Sequence, residues 1–276
     1  MRTRHLITFL ILLIAEIIIG KWTGGFIRGY VGDVLIIPTV YFLLRTICFA
    51  RDGIFSVYVL PFICYSLGWI AEVLQAIDIT GILGIRKDSL LGIMIGGKYD
   101  LRDGLAYLIG LYLTGILLMV FSKDKKERWY PVKVFIHWTW GHMQTIAGFF
   151  IYLIYRHCPH RYYNGVLRTA WNKNSGLSMG FFIFTPYEET EASEKTEGRR
   201  EYCEKVAVHE YGHTLQAILL GPLYPFVIGI PSLGWGNIPA FQKMRQERNI
   251  PYTWLFCEKW ASYWGEKATK EKAIWD

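Results

Sequence analysis

The stretch Gly104-Leu-Ala-Tyr-Leu-Ile-Gly-Leu-Tyr-Leu-Thr-Gly-Ile-Leu-Leu-Met-Val-Phe-Ser122 carries no charge, and Lys123-Asp-Lys-Lys-Glu-Arg128 comes directly after it. A bilayer core about 30 Å thick is crossed by roughly 20 mostly apolar helical residues. Three earlier segments, about 5–20, 33–50 and 54–77, have the same character. Arg51-Asp52-Gly53 alone joins the second to the third, which predicts a helical hairpin, and the 78–103 connection is longer and rich in glycine. Arg2 and Arg4 ahead of an apolar run look like the start of a signal peptide. No A-x-A-like cleavage site is present after it and further apolar segments are, so the run is read as a first transmembrane helix.

Composition agrees. Of 276 residues, 52% are hydrophobic and 19% charged, which excludes a disordered chain and argues against an ordinary soluble enzyme. The formal charge is +7, and most of the excess lies after residue 122. In so apolar a chain this suits loops against anionic headgroups; there is no nucleic-acid motif, so the expected partner is the lipid bilayer and not a nucleic acid. The five cysteines are odd in number and form no CxxC, so free thiols are expected. Lys and Arg favour an N-terminus inside: Arg2, Arg4, Arg51 and the 123–133 cluster fall on one side, Lys21, Arg28, Arg86, Lys87, Lys98 and Arg102 on the other. The four-helix transmembrane domain is placed at 1–122, a basic linker at 123–133, and a second, membrane-associated domain at 134–276. A multi-pass membrane protein is expected.

Within the second domain, 134–155 is a fifth apolar segment that either crosses or re-enters. If it crosses, Arg156, Arg161, Arg168 and Lys173 fall outside, against the positive-inside tendency, so the cytoplasmic face is preferred for residues 156–276. Gly176 to Pro186 reads as a strand or hairpin, and 187–200 as an exposed charged loop. A helix is predicted over 201–220, stopped by Gly221-Pro222. Residues 221–236 carry three prolines and four glycines, which predicts a broken or re-entrant segment, and a last helix covers about 252–268.

His209-Glu210-Tyr211-Gly212-His213 matches H-E-x-x-H. Residues four apart share a helix face, so the two imidazoles can meet one metal ion, for which Zn²⁺ suits neutral histidine. Glu210 projects about 100° around the helix from His209, toward a water beside the metal, where it would act as general base. A catalytic zinc site usually has a third protein ligand. The H-x-x-G-x-x-H extension fails, because Gln216 and Leu219 stand at those places. Glu258, in an apolar and aromatic helix where a bare carboxylate is costly, is the expected ligand, ahead of Glu247 and Glu266 in their basic surroundings. His137 and His142 lie five apart and so on different faces; His157 and His160 read as headgroup contacts. Tyr252 or Tyr263 could stabilise an oxyanion, and Ser178, Gly180 and Phe182 mark a strand to which an extended peptide could pair. Glu16, Arg45, Glu72 and Gln75 sit at membrane depth, where polar groups are expensive; they read as internally paired, with Arg45 holding Glu16 or Glu72, or as a ligand or transport site.

Two resemblances bear on these residues. Gly32-Asp33, Glu72-x-x-Gln75, Arg86, Leu91-Gly92, Tyr99-Asp-Leu-Arg-Asp103, Ala106-Tyr107 and Gly110 make the first half similar to the small polytopic bacterial membrane proteins grouped as domain of unknown function 2809. That resemblance implies architecture and no chemistry. Gly176-Leu-Ser-Met-Gly-x-Phe-Ile-Phe184, His209-Glu-Tyr-Gly-His-x-x-Gln216, Leu220-Gly-Pro-Leu-Tyr224, Ile228-Gly-Ile-Pro-Ser232 and Glu258-Lys-Trp-Ala261 resemble a group of membrane-associated zincin-like proteins. It implies a Glu-type zincin with Glu258 as third ligand. Where such motifs often carry an Asp four residues on, this chain has Ser262, a weaker group for orienting a ligand histidine.

The expected fold is therefore mainly α, a polytopic membrane protein whose C-terminal zincin-like helical domain carries a short strand or hairpin. The expected function is a membrane-embedded zinc metallopeptidase acting on a peptide or protein. The alternative is a non-catalytic membrane module with a structural or vestigial zinc site that binds lipid or a partner. Glu210 separates the two, since a structural site needs the histidines but no base.

Overall fold

The computed structural model describes residues 2–25, 27–53, 55–84, 100–122, 129–187 and 194–274, with the backbone alone for 194–197. Three expected features lie wholly or partly outside the described residues: the glycine-rich connection at 85–99, the basic cluster 123–128, and residues 188–193 of the charged loop. The chain divides into two compact units, Met1–Val132 and Lys133–Asp276.

The first unit contains α1 (Arg2–Trp22), α2 (Gly32–Ile47), α3 (Leu60–Ala76), a single turn α4 (Ile79–Ile82) and α5 (Leu101–Phe121). Single π turns, Ile27–Val31 and Phe55–Val59, lead into α2 and α3. The resulting spans of 21 or 22 residues are long and apolar enough to cross a bilayer. On these four helices the chain is a membrane protein. Leucines and isoleucines such as Ile7, Ile11 and Ile14 are exposed, as lipid-facing positions must be, while Ile37, Tyr41, Phe42, Leu60, Cys64, Tyr107 and Leu118 form the core. Pro38 lacks the N–H that Val34 O would accept inside α2. Gly110 of α5 passes there so closely that a Cβ would lie 2.5 Å from that oxygen.

Arg45 departs from expectation. It is fully buried, yet its ion pair is with Asp52 in the hairpin turn, supported by the Tyr41 hydroxyl at 2.8 Å and His5 Nε2 at 3.1 Å. Neither Glu16 nor Glu72 reaches it. Glu72 lies sixteen residues beyond Ser56, which contacts Arg45, and that is about 24 Å of helix. Glu72 instead accepts the Tyr107 hydroxyl at 2.9 Å and Asp100 N at 3.3 Å. Glu16 is half-buried with no ion pair to a described residue, and Gln75 is half-buried at the end of α3. Arg2 donates to the carbonyls of Thr46 and Ile47 and Arg4 to that of Phe121, so the start of α1 meets the ends of α2 and α5. Positive charge at helix C-termini is electrostatically favourable.

In the second unit the 134–155 segment is not one span. It divides into α6 (Tyr130–Thr139) and α7 (His142–Ile154) at Trp140-Gly141. Gly141 N donates to Ile136 O at 2.9 Å, a five-residue reach that ends the α ladder, and the Thr145 hydroxyl caps His137 O. The thirteen residues of α7 extend about 20 Å, short of a bilayer core.

The expected hairpin belongs to a larger mixed sheet of order β1-β2-β4-β3: β1 (His160–Tyr163), β2 (Val166–Trp171), β3 (Leu177–Met179) and β4 (Phe182–Pro186). Asn164 and Gly165, both at positive φ, make the two-residue turn between β1 and β2. β2 and β4 pair in parallel, and β3 pairs antiparallel with β4. β4 is buried throughout, with Phe182 packed on Trp138, Phe149 and Tyr152.

The long helix α8 (Glu194–Leu220) begins seven residues before its expected start, taking up part of the presumed loop. Its early turns are rich in Glu, Lys and Arg, good helix formers, and Lys205 pairs with Glu201 one turn back. Buried Arg168 ties the sheet to it, donating to Thr185 Oγ1 at 2.8 Å, Glu204 Oε1 at 2.9 Å and Cys203 O at 3.1 Å. Residues 221–237 break as expected, into a 3₁₀ turn, a π turn and α9 (Ile230–Asn237). After them come α10 (Pro239–Glu247) and α11 (Phe256–Thr269). All five cysteines are free.

Candidate metal centre

α8 and α11 pack at a distance set by glycine. A Cβ on Gly212 would lie 1.8 Å from Ala261 O, and one on Gly265 would lie 2.1 Å from Val208 O. That seam brings Glu258, in the first turn of α11, over the two histidines of α8. Glu258 Oε2 stands 3.0 Å from His209 Nε2 and 3.4 Å from His213 Nε2. The three donor atoms lie within 4.8 Å of one another, and all three residues are buried. Bonds of about 2.0–2.2 Å to one tetrahedral zinc would put adjacent donors roughly 3.3 Å apart. The donor set and both Glu–His distances therefore fit such an ion.

The far sides of the rings are held. His209 Nδ1 meets Ser262 Oγ at 3.0 Å, so serine does reach the histidine that the resemblance would give to an aspartate. His213 Nδ1 meets Gln216 Oε1 at 2.7 Å, and Gln216 Nε2 is fixed on Cys257 O at 2.9 Å. Both rings thus present Nε2 to the shared point, the orientation that outer hydrogen bonds give to ligand histidines. Gln216 stands in the resemblance quoted from the sequence, but with no role assigned to it there. Its signal lies three residues past the second histidine, within hydrogen-bonding reach on the same helix face.

Without metal the cluster shares protons. Burial alone would lower His213, but the hydrogen bond and charge of Glu258 outweigh it and carry the imidazole up to about 9. Burial would raise Glu258; the two histidines more than offset this and hold it well below the ordinary carboxylate range. Burial lowers His209. Glu210 is pushed up to about 8 by burial, only partly opposed by His213. It forms no hydrogen bond or ion pair with the described residues. A Cβ on Gly176 would lie 2.1 Å from Glu210 Oε1, so the entry to β3 passes directly over this carboxyl.

The cluster forms the floor of a cleft of about 820 Å³, which β3 borders through Leu177, Ser178 and Met179. Of the strand residues expected there, Ser178 is on the cleft, whereas Phe182 belongs to the aromatic core and Gly180 turns at φ +62° against Thr145. Alternation along the strand and the hairpin turn separate them. Tyr252 lines the cleft; Tyr263 is 57% exposed and does not. Tyr224, quoted in the resemblance but given no role there, is buried in the same lining. Of the remaining histidines, His142 binds Thr139 O and His160 bridges Thr169 Oγ1 and Arg156 O. His160 is thus a contact between strands.

Fold and site together define a membrane protein of two units, the second carrying a buried His-His-Glu cluster at the base of a cleft. Residues 22–111 match the model of a family described as protein of unknown function (DUF2809). That match lies wholly within the first unit and includes none of the cluster residues. No curated protein and no solved structure matches the chain.

Proposed function

We propose that the second unit is a zinc metallopeptidase, its ion held by His209, His213 and Glu258, in a multi-pass protein of a bacterial inner membrane. Bound zinc would supply Lewis-acid polarisation of a peptide carbonyl and bring water's acidity near neutrality. Glu210 takes the proton from the attacking water and delivers it to the leaving nitrogen, a role for a base whose pKa lies near the working pH. Tyr252 and Tyr224, two of the hydroxyl-bearing residues that line the cleft, are assigned to the developing oxyanion. The open edge of β3 can align an extended peptide. Because neither α6 nor α7 has the length to cross, we place this chemistry on the cytoplasmic side, with the N-terminus inside.

One observation carries the reading: Glu210 is buried beside the ligands, faces the cleft and is tied to no partner among the described residues. A zinc site that only held two helices together would have no use for it. The test is Glu210→Gln in the full chain. Zinc content and melting should stay at the parent's values while peptide turnover falls roughly 10²–10⁴-fold. Undiminished cleavage would end the mechanism in which Glu210 is the base, and a parent chain that binds no zinc would end the metal assignment.

A further inference from the structure

The cleft has an uneven charge. Glu210 and Glu258 are the only acids among its described lining residues, and both lie at the floor. Its bases, Lys173 and Arg245, are on separate elements, and neither forms an ion pair with a described residue. Arg245 is also pre-positioned. Its guanidinium lies 4.9 Å from the Trp235 ring centre and 5.2 Å from that of Tyr252, and it donates to Trp235 O. Arginine clamped between aromatic rings keeps its planar fork with little rotamer entropy left to lose on binding. Lys173 is stacked on Trp171 at 4.8 Å. The polar residues around Arg245 are patterned too. Gln242, Arg245, Gln246 and Asn249 keep i, i+3, i+4, i+7 spacing, one continuous stripe along α10 and just past its end, and all four line the cleft.

We propose that the cleft selects peptides bearing a carboxylate, with Arg245 as the residue that reads it and Lys173 as a second attraction. This rests on the peptidase reading above and narrows its substrate class. With zinc present the floor is close to neutral, since two positive charges face Glu210 and Glu258, and the walls then leave a net positive cleft. Opposite charge across a binding site raises both encounter rate and discrimination.

The experiment uses the full chain in detergent, loaded with zinc and carrying Glu210→Gln so that peptides persist. Two fluorescein-labelled decapeptide pools are titrated by anisotropy. They are identical except that one fixed position is Glu in the first and Gln in the second. The Glu pool should bind about ten-fold more tightly, as expected of one charge-assisted contact, and the ratio should shrink as salt rises. Arg245→Gln should abolish the ratio, and Arg245→Lys should keep part of it. Equal binding of the two pools overturns the inference without recourse to any variant, as does a ratio that survives in Arg245→Gln. Both pools are also incubated with the zinc-loaded parent. A binding preference with no cleavage leaves the acidic selectivity standing and ends the peptidase reading. Cleavage of both pools at equal rates does the reverse, and no binding of either ends both.

Discussion

Gly212→Ala is a one-methyl change with a calculable reach. The new Cβ would start 1.8 Å from Ala261 O, and ordinary contact begins at about 3.4 Å. α8 and α11 must therefore separate by roughly 1.6 Å, because the obstacle is backbone and cannot rotate away. Overpacking of this kind costs about 1–3 kcal/mol. The larger effect falls on the metal. Glu258 rides on α11 within 3.0 and 3.4 Å of the two imidazoles, while metal–ligand bonds tolerate errors of about 0.2 Å. In the proposed zinc site, moving it by several times that tolerance would remove a ligand, so zinc affinity should drop by about 10²-fold. The assay is competition against a chromophoric chelator, with melting curves taken with and without zinc. Gly198→Ala is the control: it lies on the same helix with open space around it, and should leave zinc unchanged while strengthening the helix by up to about 1 kcal/mol. Parent-like zinc affinity in Gly212→Ala would refute the idea that the glycine seam positions Glu258.

Glu258→Gln should lose zinc where Glu210→Gln retains it, measured as metal per chain after gel filtration; equal retention would remove Glu258 from the ligand set. Asp52→Asn leaves the Arg45 guanidinium buried with only neutral partners, and detergent-solubilised protein should lose about 3 kcal/mol of stability by thermal unfolding; a change below about 0.5 kcal/mol would show that the pair matters little. His137 is fully buried and burial holds it down at about 3, with the Lys133 charge adding to the effect. Below pH 6.5 the unfolded chain therefore binds a proton that the folded chain refuses until near 3, and stability should fall across that window by up to roughly 4 kcal/mol. Unfolding monitored by tryptophan fluorescence should show a shallower fall in His137→Phe; an identical pH profile would be contrary to this.

Local spacing is the part of this molecule that its sequence states openly. Four apolar runs of membrane length, and two histidines four apart on one helix, depend on neighbours in the chain. Glu258 is legible for another reason, since a carboxylate among Phe256, Cys257, Trp260 and Ala261 needs a partner. The β1–β2 hairpin carries its own signal in Asn164-Gly165, hidden by basic and aromatic flanks that look like a headgroup belt. The break at Trp140-Gly141 has no proline to announce it and is stabilised by hydrogen bonds formed only once α7 has folded back. Polarity alone pairs Arg45 with the wrong acid, because depth along a helix decides which charges can meet. Tyr224, Arg245 and Tyr252 converge on the cleft from separate short elements, and no periodicity in one segment reports that.

The glycine seam changes what the histidine motif itself means. Written as a pattern, its third and fourth positions are blanks that any residue can fill. In this molecule they are the more constrained half. Tyr211 is buried, takes a bond from Lys133 Nζ at 2.7 Å and gives one to Asn164 O at 3.2 Å. Gly212 has no room for even a methyl group. A designer who grafted only His209, Glu210 and His213 onto another helix would transfer the motif and leave behind the spacer that determines how near the helix bearing Glu258 can come. Scoring chance occurrences of the pattern by whether a neighbouring helix could approach at the fourth position would separate imitations from sites better than the letters alone.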